Sequence, residues 1–129
     1  MPVMALPRIV VGVLLMAHGL VHLLYLAPDV SEFSFERSWL LSDPARKPVA
    51  YFLMASTVIA FVLLALAVWQ VPRIDSAWPV LALVGAGFST ALLVLFWNRA
   101  LVLGLVINAL LFAAAVLRPA WLERFMSGG

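Results

Sequence analysis

Four apolar runs of about 20 residues each, at 8–27, 49–70, 77–97 and 100–117, carry no Asp, Glu or Lys in their interiors. This pattern decides most of what the chain can become. A bilayer core is about 30 Å thick, and a helix needs roughly 20 residues to cross it. Hydrocarbon leaves no partner for an unpaired N–H or C=O, so each run is predicted to be an α-helix. Composition agrees, since 66% of the 129 residues are hydrophobic and 11% charged. A soluble domain has about 45–50% and about 25% respectively, and no water-soluble fold of this size could hide so much apolar surface. The chain therefore reads as one transmembrane domain over 1–129, an all-α integral membrane four-helix bundle, antiparallel and up-down-up-down, with the lipid bilayer as its first partner.

The first run is not expected to be a cleaved signal. It is longer than the roughly 7–15 residues of a signal's apolar region. The only small residue near its end is Ala27, with Tyr25 two positions before it and Pro28 after it.

The breaks between runs have visible causes. Pro28, Asp29 and Ser31 stop the first, and Pro72, Arg73, Asp75 and Ser76 separate the second from the third. Asn98 and Arg99 are the only polar residues between the third and fourth, so a tight turn between antiparallel neighbours is expected there. Trp39, Tyr51, Trp69, Trp78, Trp97 and Trp121 lie near run ends, as an aromatic belt at the headgroups would. The connection 28–48 is the one long one, and its Phe33, Phe35, Trp39, Leu40 and Leu41 among charged residues predict a short helix lying flat in the interface. A lid over the bundle mouth is the other reading.

Charge says little about orientation. Arg8, Arg73, Arg118 and Arg124 fall on one side, and Arg37, Arg46, Lys47 and Arg99 on the other. The four acids of the first connection, Asp29, Glu32, Glu36 and Asp43, tilt the expectation toward both termini being cytoplasmic. The net charge is +2, with no basic cluster that would track a phosphate backbone, so no nucleic-acid partner is expected. There is no cysteine, which excludes disulfides, thiolate metal sites and thiol catalysis.

Polar side chains inside membrane helices are rare and often functional. Counted from the end facing the long connection, His18, Ser56, Thr57, Ser89, Thr90 and Asn108 fall at one level. At 1.5 Å per residue that level is roughly 10–14 Å deep, with His22 slightly shallower. All four runs contribute, so these groups are expected to face one another inside the bundle. His18, His22 and Tyr25 stand at i, i+4 and i+7 on one face, and Asp29 continues the row toward water. The candidate ligand-binding set is His18, His22, Tyr25, Ser56, Ser89, Thr90 and Asn108. Histidine can bind metal, pass a proton or hydrogen-bond a ligand. It can equally hold the bundle together through Ser, Thr or Asn on neighbouring helices. His18 and His22 are the only metal candidates, and the other runs add no His, Cys or carboxylate, so no metal is expected. The residues name no cofactor. Gly12 and Gly19 on the first run, Gly85, Gly87, Ser89 and Ala91 on the third and Gly104 on the fourth read as close-packing surfaces.

From Arg8 to Leu23 the chain reads R-I-V-V-G-V-L-L-M-A-H-G-L-V-H-L. This resembles the start of DoxX-like small membrane proteins, which have an Arg, a Gly one turn on, a later Gly after a small or polar residue, and a basic residue three further. Arg8, Gly12, Gly19 and His22 stand at those positions, and the four-run outline fits too. His22 stands where Lys is common, and without cysteine any thiol-linked role would fall to a partner. The resemblance implies a bacterial cytoplasmic membrane and an accessory or assembly subunit of a quinone-linked redox complex. The residues alone imply a second possibility, an intramembrane site for a small apolar ligand such as a quinone or lipid, lined by His18, His22, Tyr25 and Asn108. A small transporter is the third, although a proton-coupled one would have to use His in place of an intramembrane carboxylate. A homo-oligomer or larger complex accompanies the first. No nucleophile or acid–base pair beyond the two His marks an enzyme.

Overall fold

Ser42, Asp43 and Pro44 open the longest helix of the chain. Proline suits a first turn, where its missing N–H has no helical partner to lose. In the computed structural model residues 6–26 and 38–127 are described, and every regular element among them is helical. α1 spans Leu6–Leu20 and runs on as a 3₁₀ turn, Val21–Leu26. α2 is Asp43–Val68. α3, Trp78–Leu95, follows the 3₁₀ turn Asp75–Ala77, and α4, Val102–Leu117, follows the 3₁₀ turn Arg99–Leu101. α5 is Ala120–Ser127.

Three helical stretches are long and apolar enough to cross a membrane: Leu6–Leu26 with 21 residues, Asp43–Val68 with 26 and Asp75–Leu95 with 21. α4 has 16 residues, about 24 Å of helix. The 3₁₀ turn before it adds about 6 Å. It counts as a fourth span only together with α5, from which it is bent by 93°.

The long connection is shorter than expected, because 43–48 belongs to α2 and Pro48 lies inside the helix. Pro48 forfeits one hydrogen bond close to the helix start, which the long apolar stretch behind it outweighs. The expected interfacial helix falls mainly on 27–37, outside the described residues, as does Asp29. Residues that follow are tied to the end of α3, since the Trp39 indole N–H donates to the Val94 carbonyl at 2.6 Å. That carbonyl lies in the last turn of α3, where helical partners run out.

α2 stops at Val68 by a hydrogen-bond pattern that needs a left-handed residue. Gln70 supplies it at φ 61°. Val71 N–H donates to Leu66 O and Gln70 N–H to Ala67 O, both at 3.0 Å. Pro72 then forbids continuation. Arg118, at φ 46°, ends α4 in the same left-handed region. Its guanidinium pairs with Glu123 at 2.8 Å across the corner into α5. The hydrogen bond from Arg118 holds the exposed Glu123 carboxyl below its ordinary range.

α1 packs on α2, α2 on α3 and α3 on α4, while α1 and α4 meet only marginally. The interior divides into two apolar clusters. One, near the long connection, is built around Tyr25, Leu53, Leu92 and Phe96. The other, toward the termini, is built around Phe61, Leu64, Trp78 and Met126. Arg8 closes the second end. Its guanidinium is buried and donates to Val68 O at 2.6 Å and to Phe125 O, with the Phe125 ring 4.7 Å away. Both acceptors are carbonyls near helix C-termini, so the cation meets the negative ends of two helix dipoles. Trp78 is 7% exposed and belongs to this cluster rather than to an aromatic belt. Trp39, Tyr51, Trp97 and Trp121 are exposed.

Candidate functional site

The site begins with two glycines. A Cβ on Gly12 would run into the Trp69 indole, and one on Gly19 into the Phe61 Cβ. Without those methyl groups α1 lies directly against α2. The buried residues of α1 and its 3₁₀ continuation are Arg8, Gly12, Gly19, His22 and Tyr25. Arg8, Gly12, Gly19 and His22 are thus all buried, the first three against α2 and its end. Phe61, fully buried, stands opposite the histidines, edge-on to His18 at 4.8 Å and parallel to His22 at 6.4 Å.

His22 reaches back along its own helix. Its Nδ1–H donates to His18 O at 2.9 Å and Gly19 O at 3.1 Å. A side chain that takes up these carbonyls competes with the α-helical ladder, and the switch from α to 3₁₀ falls at this point. His22 Nε2 lies 2.7 Å from Ser89 Oγ on α3. Asn108 Nδ2–H on α4 donates to the same Ser89 Oγ at 2.8 Å. Asn108 Oδ1 lies 2.9 Å from His18 Nε2. His18, His22, Ser89 and Asn108 thus form one chain of hydrogen bonds across three helices, between the two apolar clusters. His22, Ser89 and Asn108 are buried to within 2%.

The other candidates are placed differently. Ser56 and Thr90 are half-buried and outside the chain. Their neighbours Thr57 and Ser89 turn inward instead, and Thr57 spends its hydroxyl on Leu53 O of its own helix at 2.7 Å. Tyr25 is buried in the apolar cluster with its hydroxyl 3.4 Å from Phe96 O. The small residues of α3 do not share a face. Gly85 lies against Phe61 and Ala60 of α2, whereas a Cβ on Gly87 would meet open space.

Because α1 and α4 barely touch, a crevice of about 560 Å³ opens between them. That is within the range of small-molecule pockets, roughly 300–1,000 Å³. α1 and its continuation supply Leu14, Ala17, His18 and His22, and α3 supplies Leu93. Leu103, Gly104 and Ile107 come from α4. His18 and His22 are the polar residues of this wall; Ser89, Asn108 and Tyr25 do not line it. Gly104 matters to the shape, since its missing Cβ would crowd Leu93 at 2.9 Å.

Metal chemistry finds little to work with. Among the described residues no group of three His, Cys, Asp or Glu is placed to hold an ion. Both nitrogens of His22 are already engaged. Sequence reading overlooked Phe61 and the clamp made by Arg8. Phe61 is one apolar residue in an apolar run, and nothing in the pattern sets it apart. Arg8 at a run end looks like any membrane-flanking cation. In comparisons with family models, curated proteins and solved structures, the chain has no match.

Proposed function

We propose that the chain is an integral membrane four-helix bundle, antiparallel and up-down-up-down, that binds a small apolar ligand such as a quinone or lipid in the crevice between α1 and α4. The observation that carries this is the crevice itself. It is roomy and apolar, opens sideways between two helices, and has an imidazole from a built hydrogen-bond chain in its wall. Such a shape suits a molecule that arrives from the bilayer, with its tail among the leucines and its head at His18. A proton-coupled transporter draws no comparable support.

Gentle purification into lipid nanodiscs, followed by mass spectrometry of small molecules and proteins, tests the reading. An apolar molecule enriched over bulk lipid is expected with the unaltered chain. Ala17→Phe, which places a ring in the crevice, is expected to reduce it severalfold at unchanged melting temperature. Identical small-molecule content in both proteins would refute the ligand role. The same purification reads the accessory-subunit role, also proposed on the DoxX-like pattern, which requires a protein partner that stays bound.

A further inference from the structure

We infer that the crevice selects molecules whose head donates a hydrogen bond, a hydroxyl rather than a carbonyl or an ether. The inference rests on the ligand reading above and comes from following each proton along the chain.

The starting point is His22. Its Nδ1 faces two carbonyl oxygens, His18 O at 2.9 Å and Gly19 O at 3.1 Å. Carbonyls only accept, so Nδ1 carries a proton. A second proton would make a buried imidazolium, and the apolar runs hold no carboxylate to pair with it. His22 is therefore neutral, and its Nε2 presents a lone pair. Ser89 must donate its single hydroxyl proton across the 2.7 Å to that nitrogen. Having spent its proton, Ser89 Oγ accepts from Asn108 Nδ2–H at 2.8 Å. This fixes the amide, with Oδ1 toward His18. His18 Nε2 then donates to Oδ1 across 2.9 Å. A flipped amide would require a donor at both nitrogens of His22, which is the imidazolium already excluded.

His18 stands in the apolar crevice wall, where the runs hold no carboxylate to pair an imidazolium, so it too is neutral and, with its proton on Nε2, keeps a bare lone pair on Nδ1. No described residue donates to that atom. It is also not sealed away, because the buried side-chain nitrogens without a partner among the described residues are Arg46 Nε and Trp69 Nε1. His18 is half-buried and lines the crevice. The crevice thus offers a lone acceptor, while the other imidazole in its wall has both nitrogens occupied. A hydroquinone or an alcohol-headed lipid satisfies it. The oxidised quinone, like an ether, brings another lone pair, leaves Nδ1 unpaired and binds more weakly, so within the quinone class the crevice favours the reduced form.

Binding of para-dodecylphenol and of its methyl ether, two probes that differ in one donor, tests this in nanodiscs by equilibrium dialysis against protein-free discs. The phenol is expected to bind about tenfold more tightly than the ether, the size of one hydrogen bond. His18→Phe keeps a ring of similar volume and removes Nδ1, and should bring the two probes to parity. Heteronuclear NMR of the imidazole nitrogens should show the His18 proton on Nε2 in the unaltered protein. Equal binding of both probes to that protein, or a His18 proton on Nδ1, would overturn the donor rule and leave the crevice as a ligand site. Exclusion of both probes would overturn the ligand reading and this inference together, as a neighbouring helix filling the crevice would produce.

Discussion

Ser89 has one hydroxyl and two partners, His22 Nε2 and Asn108 Nδ2. Ser89→Ala leaves a buried acceptor and a buried donor unpaired. The expected loss is about 1–2 kcal/mol, since hydrogen bonds between membrane helices are individually modest. Thr90→Val, one residue on, removes a hydroxyl from outside the chain and should change stability by under about 0.5 kcal/mol. Thermal unfolding in one detergent separates the two, and equal losses would mean that the cluster does not hold the helices together. The contrast also marks how far the sequence could be read at this scale. His18, His22 and Asn108 stood out because polar residues are conspicuous in apolar runs. The pairs Ser56–Thr57 and Ser89–Thr90 did not resolve. Neighbouring residues on a helix are about 100° apart, so one of each pair turns away, and only the packing decides which.

Between elements, contact with α2 governs α1. Gly19→Ala would drive a methyl group into the Cβ of Phe61, next to backbone that has little room to give. Overpacking of this kind costs about 1–3 kcal/mol. Gly87→Ala adds the same methyl group where a Cβ meets open space, and it should raise helix stability by up to about 1 kcal/mol. Melting curves of the two variants should therefore move in opposite directions; a harmless Gly19→Ala would contradict the close approach of α1 and α2. The sequence suggested close packing at both glycines; Gly19 has it and Gly87 does not, because spacing alone does not distinguish a contact from a gap. It also misjudged where elements end. α2 runs back through Pro48 because a proline near a helix start costs one hydrogen bond, while stopping there would forfeit more than a turn. Arg8, Gly12 and Gly19 meet α2 and its end, at Val68, Trp69 and Phe61, whereas His22 ties α1 to Ser89 of α3.

For the whole molecule, the proposed membrane bundle turns on how many of its helices cross. α4 is short, and α5 turns away from it by 93°, a geometry open to a crossing or to a loop that re-enters. α5 itself escaped sequence reading because its eight residues form too short and mixed a stretch to stand out. The crevice escaped as well, since it depends on α1 and α4 standing apart, which no local pattern records. Under the proposed bundle, the position of α5 sets the expectation. Its Phe125 carbonyl and the end of α2 share the Arg8 guanidinium, and α5 also contacts the turn before α3. The start of α1, the end of α2, the start of α3 and α5 therefore lie at one end, and α4 runs there from the other end, from Leu101 beside Tyr25 to Ala115 beside Met126. The chain has no native cysteine, so single substitutions report sidedness without background. In sealed vesicles of one orientation, Ser76→Cys and Ser127→Cys should react with an impermeant maleimide from the same side, and Ser38→Cys from the opposite side. A re-entrant α4 would instead leave Ser127→Cys reacting together with Ser38→Cys. That outcome would pull α5 away from Arg8, separate Asn108 from Ser89, and remove the wall of the crevice that α4 provides.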